Sequence, residues 1–147
     1  MNADALRNAL DRSPLFQSLG LRVRALAADG VCLGIDAECP THAGAFGMPD
    51  RPGINGAVLC AALEAAIGLC GQACLGDAPA AVIELSVKLQ RPVRTAPCRI
   101  AARPTRSGRG LAFVCAVLSD ARDRPCATAS GIVVATRTAS ARDRPLD

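Results

Sequence analysis

Glu64 is the only charged residue between Arg51 and Asp77, midway along the apolar stretch Ile54 to Leu69. That stretch reads as one buried helix, and a carboxylate there has to be partnered, protonated or in use, because burying it bare costs several kcal/mol. Glu64 is therefore the first candidate for chemistry. On a helix, the positions sharing its face are Ala57, Cys60, Ala61, Ile67, Gly68 and Gly71. All but Ile67 are small, which leaves room for a ligand or for another backbone. At the head of the helix Asn55 is a good N-cap, and Gly56 exposes amides carrying the positive end of the helix dipole. Such amides can receive a developing oxyanion.

Other chemistry-bearing residues are sparse. The only histidine, His42, lies in a Pro- and Gly-rich loop over 38–53, long enough to be functional, although a lone loop histidine is expected to be exposed. Cys70 and Cys74 stand one helical turn apart, but with no second pair and no nearby histidine they are not expected to hold a metal. Cys32, Cys60 and Cys115 fall inside apolar patterns, where a free thiol behaves as a small hydrophobe.

The elements that must position Glu64 follow from the patterning. Residues 4–19 read as one or two short helices, with Ser13-Pro14 as a start signal for the second. Leu21 to Ala25 and Val31 to Asp36 form a hairpin turning at Asp29-Gly30. After the loop comes the helix over roughly 55–75. Four strands follow: one alternating from Ile83 to Leu89, one over 98–103 expected to stop at Pro104, one from Leu111 to Leu118 after the Ser107-Gly108-Arg109-Gly110 turn, and one from Cys126 to Arg137. A helix this apolar must be covered nearly all round, and one antiparallel sheet curled about it would do that. Its free edges predict a partner protomer.

At 147 residues one domain is the natural prior: an N-terminal helical segment over 1–20, a main domain over 21–137, and a tail over 138–147 expected to be disordered. Ala-Arg-Asp-Arg-Pro occurs at 121–125 and again at 141–145, once in a turn and once in the tail, and is read as coincidence. With three Phe and no Trp or Tyr, reading of single-stranded nucleic acid by base stacking is not expected. The net charge of +4 is mild and suits anionic small ligands. The N-terminus shows no signal-peptide pattern, and Glu64 interrupts the one long apolar run, so no membrane association is expected. Eight cysteines then point to a reducing cytoplasm rather than to a disulfide framework.

Asn55-Gly56-Ala57 with Glu64 nine positions after Asn55 resembles the His-Gly-Gly…Asp/Glu signature of hot-dog-fold acyl-CoA thioesterases of the phenylacetate-degradation type. Gln90-Arg91-Pro92-Val93 is similar to that family's strand ending in Arg/Ser-Pro-Ala, and Ser107-Gly108-Arg109-Gly110-Leu111-Ala112 to its Gly-Arg-x-Leu-Ala hairpin. The resemblance covers about residues 20–137. It implies an α+β hot-dog fold, a curved antiparallel sheet of about six strands around one long helix, and a homodimer or a dimer of dimers with the active site at the dimer interface.

The activity implied is hydrolysis of acyl-CoA thioesters. Glu64 would activate water or attack the carbonyl, and the amides near Gly56 and Ala57, supplied by the other protomer, would polarise it. Coenzyme A would enter as part of the substrate, with no separate cofactor, its phosphates meeting Arg91, Arg106 and Arg109. The small-residue strip hints at a bulky or branched acyl group. Three positions depart from the family pattern. Asn55 replaces a histidine, Pro49 or Asp50 falls where Asn or Gln is common, and Val82 falls where some relatives carry a hydroxyl. They leave open a non-catalytic acyl-CoA or fatty-acyl binding protein on the same scaffold, or an assembly module in which Glu64 makes a salt bridge across a dimer.

Overall fold

The computed structural model describes residues 3–44, 48 and 50–136. Two short helices open the chain, α1 (Ala3–Asp11) and α2 (Pro14–Leu19). α2 begins where the Ser13 side chain accepts the Phe16 amide at 3.1 Å, with proline at the first helical position. It ends at Gly20, whose φ of 67° is the left-handed conformation that glycine adopts without strain. The hairpin β1 (Leu21–Ala27) and β2 (Gly30–Ile35) then pairs antiparallel as its Asp-Gly turn predicts.

The loop that follows holds a 3-10 turn, Pro40–His42, and leads into the long helix α3 (Gly56–Leu75). Four strands complete the chain: β3 (Ala80–Leu89), β4 (Cys98–Gly108), β5 (Leu111–Asp120) and β6 (Pro125–Ala135). They form one six-stranded sheet in the order β1-β2-β4-β5-β6-β3, every pairing antiparallel. β3 is therefore an edge strand, although it is the first formed after α3.

Strand alternation decides which side of the sheet holds the helix. Leu33, Ile35, Ile100, Ala112, Val114, Leu118 and Val133 point to the α3 side and are fully buried or nearly so. They meet Leu59, Ala62, Leu63, Ala66 and Ile67 of α3, also buried. At Gly71 a Cβ would stand 2.4 Å from the Val133 side chain, so the helix approaches β6 there as closely as its backbone permits. Burial of this seam, at roughly 25 cal/mol per Å² of apolar surface, is the main force holding helix to sheet.

Two expectations need correction. Pro104 does not end its strand: β4 continues to Gly108 with a register shift between Pro104 and Arg106. β2 pairs with β4 only as far as Ala102, so no ladder partner lies on that side to miss an N–H from Pro104. The helix is also not covered all round. Within one chain the sheet covers a single side, and Ala57 and Glu64 are exposed on the other. By length and composition alone α3 could cross a membrane, yet half of its apolar window is buried inside the fold. The tail expected to be disordered, 138–147, lies outside the described residues.

Candidate functional site

The start of α3 is held by backbone and side-chain hydrogen bonds from three directions. Asn55 caps the helix, its Oδ1 accepting the Val58 amide at 3.0 Å. Its Nδ2 donates to the Thr41 carbonyl at 2.7 Å, and its own amide donates to the His42 carbonyl at 3.0 Å. One residue earlier, the Ile54 amide donates to the Val93 carbonyl at 2.8 Å. Asn55 thus spends both ends of its side-chain amide on position, while the amides of Gly56 and Ala57 have no acceptor among the described residues.

His42 is buried, not exposed as its loop setting suggested. Its Nδ1 accepts the Cys39 amide at 3.1 Å and its Nε2 lies 2.9 Å from the Leu19 carbonyl. A ring nitrogen that accepts an N–H carries no proton, so Nε2 is the protonated one and donates to Leu19. The imidazole is a brace tying the end of α2 to the loop that grips Asn55.

Glu64 projects from the outward side of α3. It is exposed and has neither an ion pair nor a hydrogen bond among the described residues. The expectation of a buried carboxylate thus fails for a single chain: Cys60, Ala61 and Gly68, apolar though they are, are only half-buried and leave Glu64 open. Val82 is brought to the same place: a Cβ at Gly68 would stand 3.3 Å from Val82 Cγ2 and 4.0 Å from Glu64 Oε1. At the helix start, a Cβ at Gly56 would stand 3.0 Å from Leu89 Cδ1. So α3 lies along β3, its start at the Leu89 end and Glu64 toward Val82. β3 pairs only with β6 and leaves Ile83 (61% exposed), Leu85 and Leu89 uncovered. The outward strip of α3 and this free edge form one continuous unpartnered border.

The remaining sequence candidates are scattered. Asp50 is exposed in the turn that returns the Arg51 amide to the Met48 carbonyl; Pro49 lies outside the described residues. Arg109 sits at the tip of the β4–β5 hairpin with a φ of 52°. Arg106 pairs across from Phe113 and therefore stands on the sheet face turned away from α3. Arg91 alone joins a cavity, of about 410 Å³, lined by Arg91, Pro92, Arg94, Thr95, Asp120, Ala121, Arg122 and Arg124.

Asp120 is already spent there. It accepts the amides of Arg122 and Arg124 at 2.9 and 3.0 Å and takes the Arg124 guanidinium in a fork at 2.9 and 2.7 Å. That side-chain bond, above all, holds its carboxyl down at about 2. Arg91, Arg94 and Arg122 make no ion pair among the described residues. Arg94 and Thr95 also line a groove of about 320 Å³ with Glu38, His42, Arg51 and Ile54, so the groove beside the head of α3 and the arginine cavity share two lining residues. Arg94 and Arg122 were not singled out as ligands from sequence; the paired arginines of the Asp120–Pro125 turn were the only available signal.

The eight cysteines are free thiols. Burial pushes Cys70 up to about 12 and Cys98 to about 11, which makes both inert. No group of three His, Cys, Asp or Glu side chains that could hold a metal occurs among the described residues.

One long helix cradled in a curled, wholly antiparallel six-stranded sheet is the hot-dog fold, and solved structures share it. A thioesterase family protein from Silicibacter pomeroyi superposes with a TM-score of 0.79 at 21% identity, covering 92% of this chain and 98% of that one. Thioesterase HI1161 from Haemophilus influenzae gives 0.76 at 18%, covering 91% and 90%. A thioesterase-superfamily-related protein from Shewanella oneidensis gives 0.76 at 18%, covering 90% and 94%. No curated protein matches the sequence significantly. The model of the acyl-CoA thioesterase N-terminal domain matches residues 45–138, more than half of the chain, and the chain belongs to that family.

Proposed function

We propose that this protein hydrolyses acyl-CoA thioesters and that its working form is a dimer built across the β3 edge. The observation that carries the reading is the border where Glu64, Gly68 and Val82 meet beside the unpaired edge of β3. A carboxylate in open water is a weak base and leaves a thioester unshielded. A second copy laid along β3 would cover the outward strip of α3, desolvate Glu64 and bring it near the free Gly56 and Ala57 amides of the other chain.

In that setting Glu64 takes a proton from water as the oxygen attacks the thioester carbonyl carbon. The amides receive the negative charge on the carbonyl oxygen. Collapse of the intermediate breaks the C–S bond, and the departing thiolate takes up a proton. Asn55 acts here as a positioning residue, aiming the amides through its cap. Arg91, Arg94 and Arg122 suit the phosphates of coenzyme A, and Arg106 and Arg109 are left out of that role because they lie on the opposite sheet face and at a hairpin tip.

The test is release of free thiol from short, medium, long-chain and aryl acyl-CoAs, wild type beside Glu64→Gln. The expected result is a fall in kcat of roughly 10²–10⁴-fold, the usual worth of a general base, with the melting temperature unchanged. Hydrolysis that survives the change removes Glu64 from the mechanism. A second reading, acyl-CoA binding without turnover, is favoured by one observation: Asn55, standing where relatives carry histidine, is committed to capping. Tight binding with no thiol released from any substrate would select it.

A further inference from the structure

Beyond Glu64, the outward strip of α3 runs toward a cavity of about 480 Å³ at the C-terminal end of the helix. Its walls are Leu6 of α1, Leu26 and Ala28 at the β1–β2 hairpin, and Leu69 and Ala73 of α3. Leu6, Leu26 and Ala28 precede residue 45, ahead of the segment that matches the thioesterase domain, so one wall comes from this chain's own N-terminal part. The helix period connects the cavity to the carboxylate. Ala61, Ala65, Leu69 and Ala73 stand four residues apart and form one row along α3, and Glu64, Gly68 and Gln72 form the row beside it. All of these but Glu64 are half-buried, and Gly68 has no side chain to bar the way. Polar partners are scarce. Gln72 Nε2 donates to the carbonyls of Gly76 and Ala78 at 2.7 and 2.8 Å, and Asp77 is the only charged residue lining the cavity.

We propose that this cavity receives the hydrocarbon tail of a straight-chain acyl thioester whose carbonyl lies at Glu64. The proposal rests on the hydrolysis reading for the place of the carbonyl and adds the class of acyl group. Apolar walls with few donors take a hydrocarbon without leaving polar groups unpaired. Charge sets the direction of entry. A free fatty acid would have to accommodate its carboxylate in a cavity whose only charge is Asp77, whereas the tail of a thioester arrives methyl end first, with the anionic coenzyme held toward the head of α3. At 1.5 Å per residue, Leu69 lies roughly 8 Å and Gly76 roughly 18 Å along the helix from Glu64. An extended chain advances roughly 1.2 Å per bond, so a tail enters the cavity at about its seventh carbon and spans it by about its fifteenth. The small residues of the strip then form a track for a straight chain, not room for a branched one.

The test is calorimetric binding of S-alkyl-CoA thioethers, from butyl to dodecyl, to the full chain and to Ala73→Phe and Ala28→Trp, with circular dichroism to show that each is folded. Ala28 is exposed in a turn, so its replacement narrows the cavity without touching the core. Wild-type affinity is expected to rise by roughly fourfold for each methylene added beyond hexyl, the transfer value of a buried CH₂. Each substitution is expected to flatten that rise. A Kd that stays constant from hexyl to dodecyl, or a rise kept in both folded variants, overturns the proposal. So does free dodecanoate binding as tightly as the dodecyl thioether, which would make the cavity a fatty-acid site with no link to Glu64. Thioethers are not hydrolysed, so this series decides the cavity, and thiol release from the thioesters decides hydrolysis separately.

Discussion

The two sides of α3 are built from nearly the same residue types and do opposite things. Toward the sheet, Val58, Leu59, Ala62, Leu63, Ala66, Ile67, Cys70 and Gly71 are buried, with Gly71 against Val133 at the limit of contact. Along the β3 edge, Ala57, Cys60, Ala61, Glu64 and Gly68 are exposed or half-covered, and the glycine there meets only the end of the Val82 side chain. The inner face is a packing surface finished within one chain. The outer face is unfinished, and a single charge marks its centre. Apolar composition announces that a helix will be covered; it does not say by which molecule.

The sharpest way to break this contrast is with neighbours in sequence. Leu63→Ala should cost about 2–5 kcal/mol of stability, since Leu63 is fully buried, while Glu64→Gln, one position on, should leave stability in place and remove turnover. Urea unfolding of both variants checks the pair; equal losses would erase the distinction between faces. The two glycines give a smaller effect. Gly71→Ala must push against Val133 and should cost roughly 1–3 kcal/mol. Gly68→Ala should be near neutral, its helix-propensity gain of about 1 kcal/mol offset by a small shift of Val82.

The thiols read the same geometry without changing stability. Cys60 lies on the outer strip and Cys70 on the inner face. Maleimide labelling followed by peptide mass mapping should find Cys60 modified while Cys70 stays unmodified until the protein unfolds. Dilution to the point where protomers separate should speed labelling of Cys60 and leave Cys70 as it was.

Much of the fold was legible because local rules and tertiary pairing agree. The Ser13-Pro14 start, the Asp29-Gly30 hairpin and the Asn55 cap each sit where side-chain chemistry dictates. What escaped did so for physical reasons. The exposure of Glu64 was hidden because alanine, cysteine and glycine look alike whether they face a sheet or a second copy. His42 was misjudged because its partners, the Leu19 carbonyl and the Cys39 amide, belong to the backbone and leave no trace in residue type. Pro104 misled because a proline interrupts a strand only where a ladder partner needs its N–H. The arginine cavity depends on two turns meeting, which no local pattern records. For the candidate site, the order Asn55, Gly56, Glu64 could be read directly; its closeness to Val82 required the sheet order that sends β3 to the edge.

The helix carries one more consequence, for the chain as it is being made. Before β4, β5 and β6 exist, the window within Gly56–Leu75, with a mean hydropathy of 1.8, has the length and greasiness of a membrane anchor. A charged group near the centre of such a segment opposes entry into hydrocarbon by roughly 2.5–3.5 kcal/mol on insertion scales. Glu64 stands at that centre. The residue that marks the outer face of the folded helix therefore also biases the nascent segment away from the bilayer and toward the sheet that will receive it.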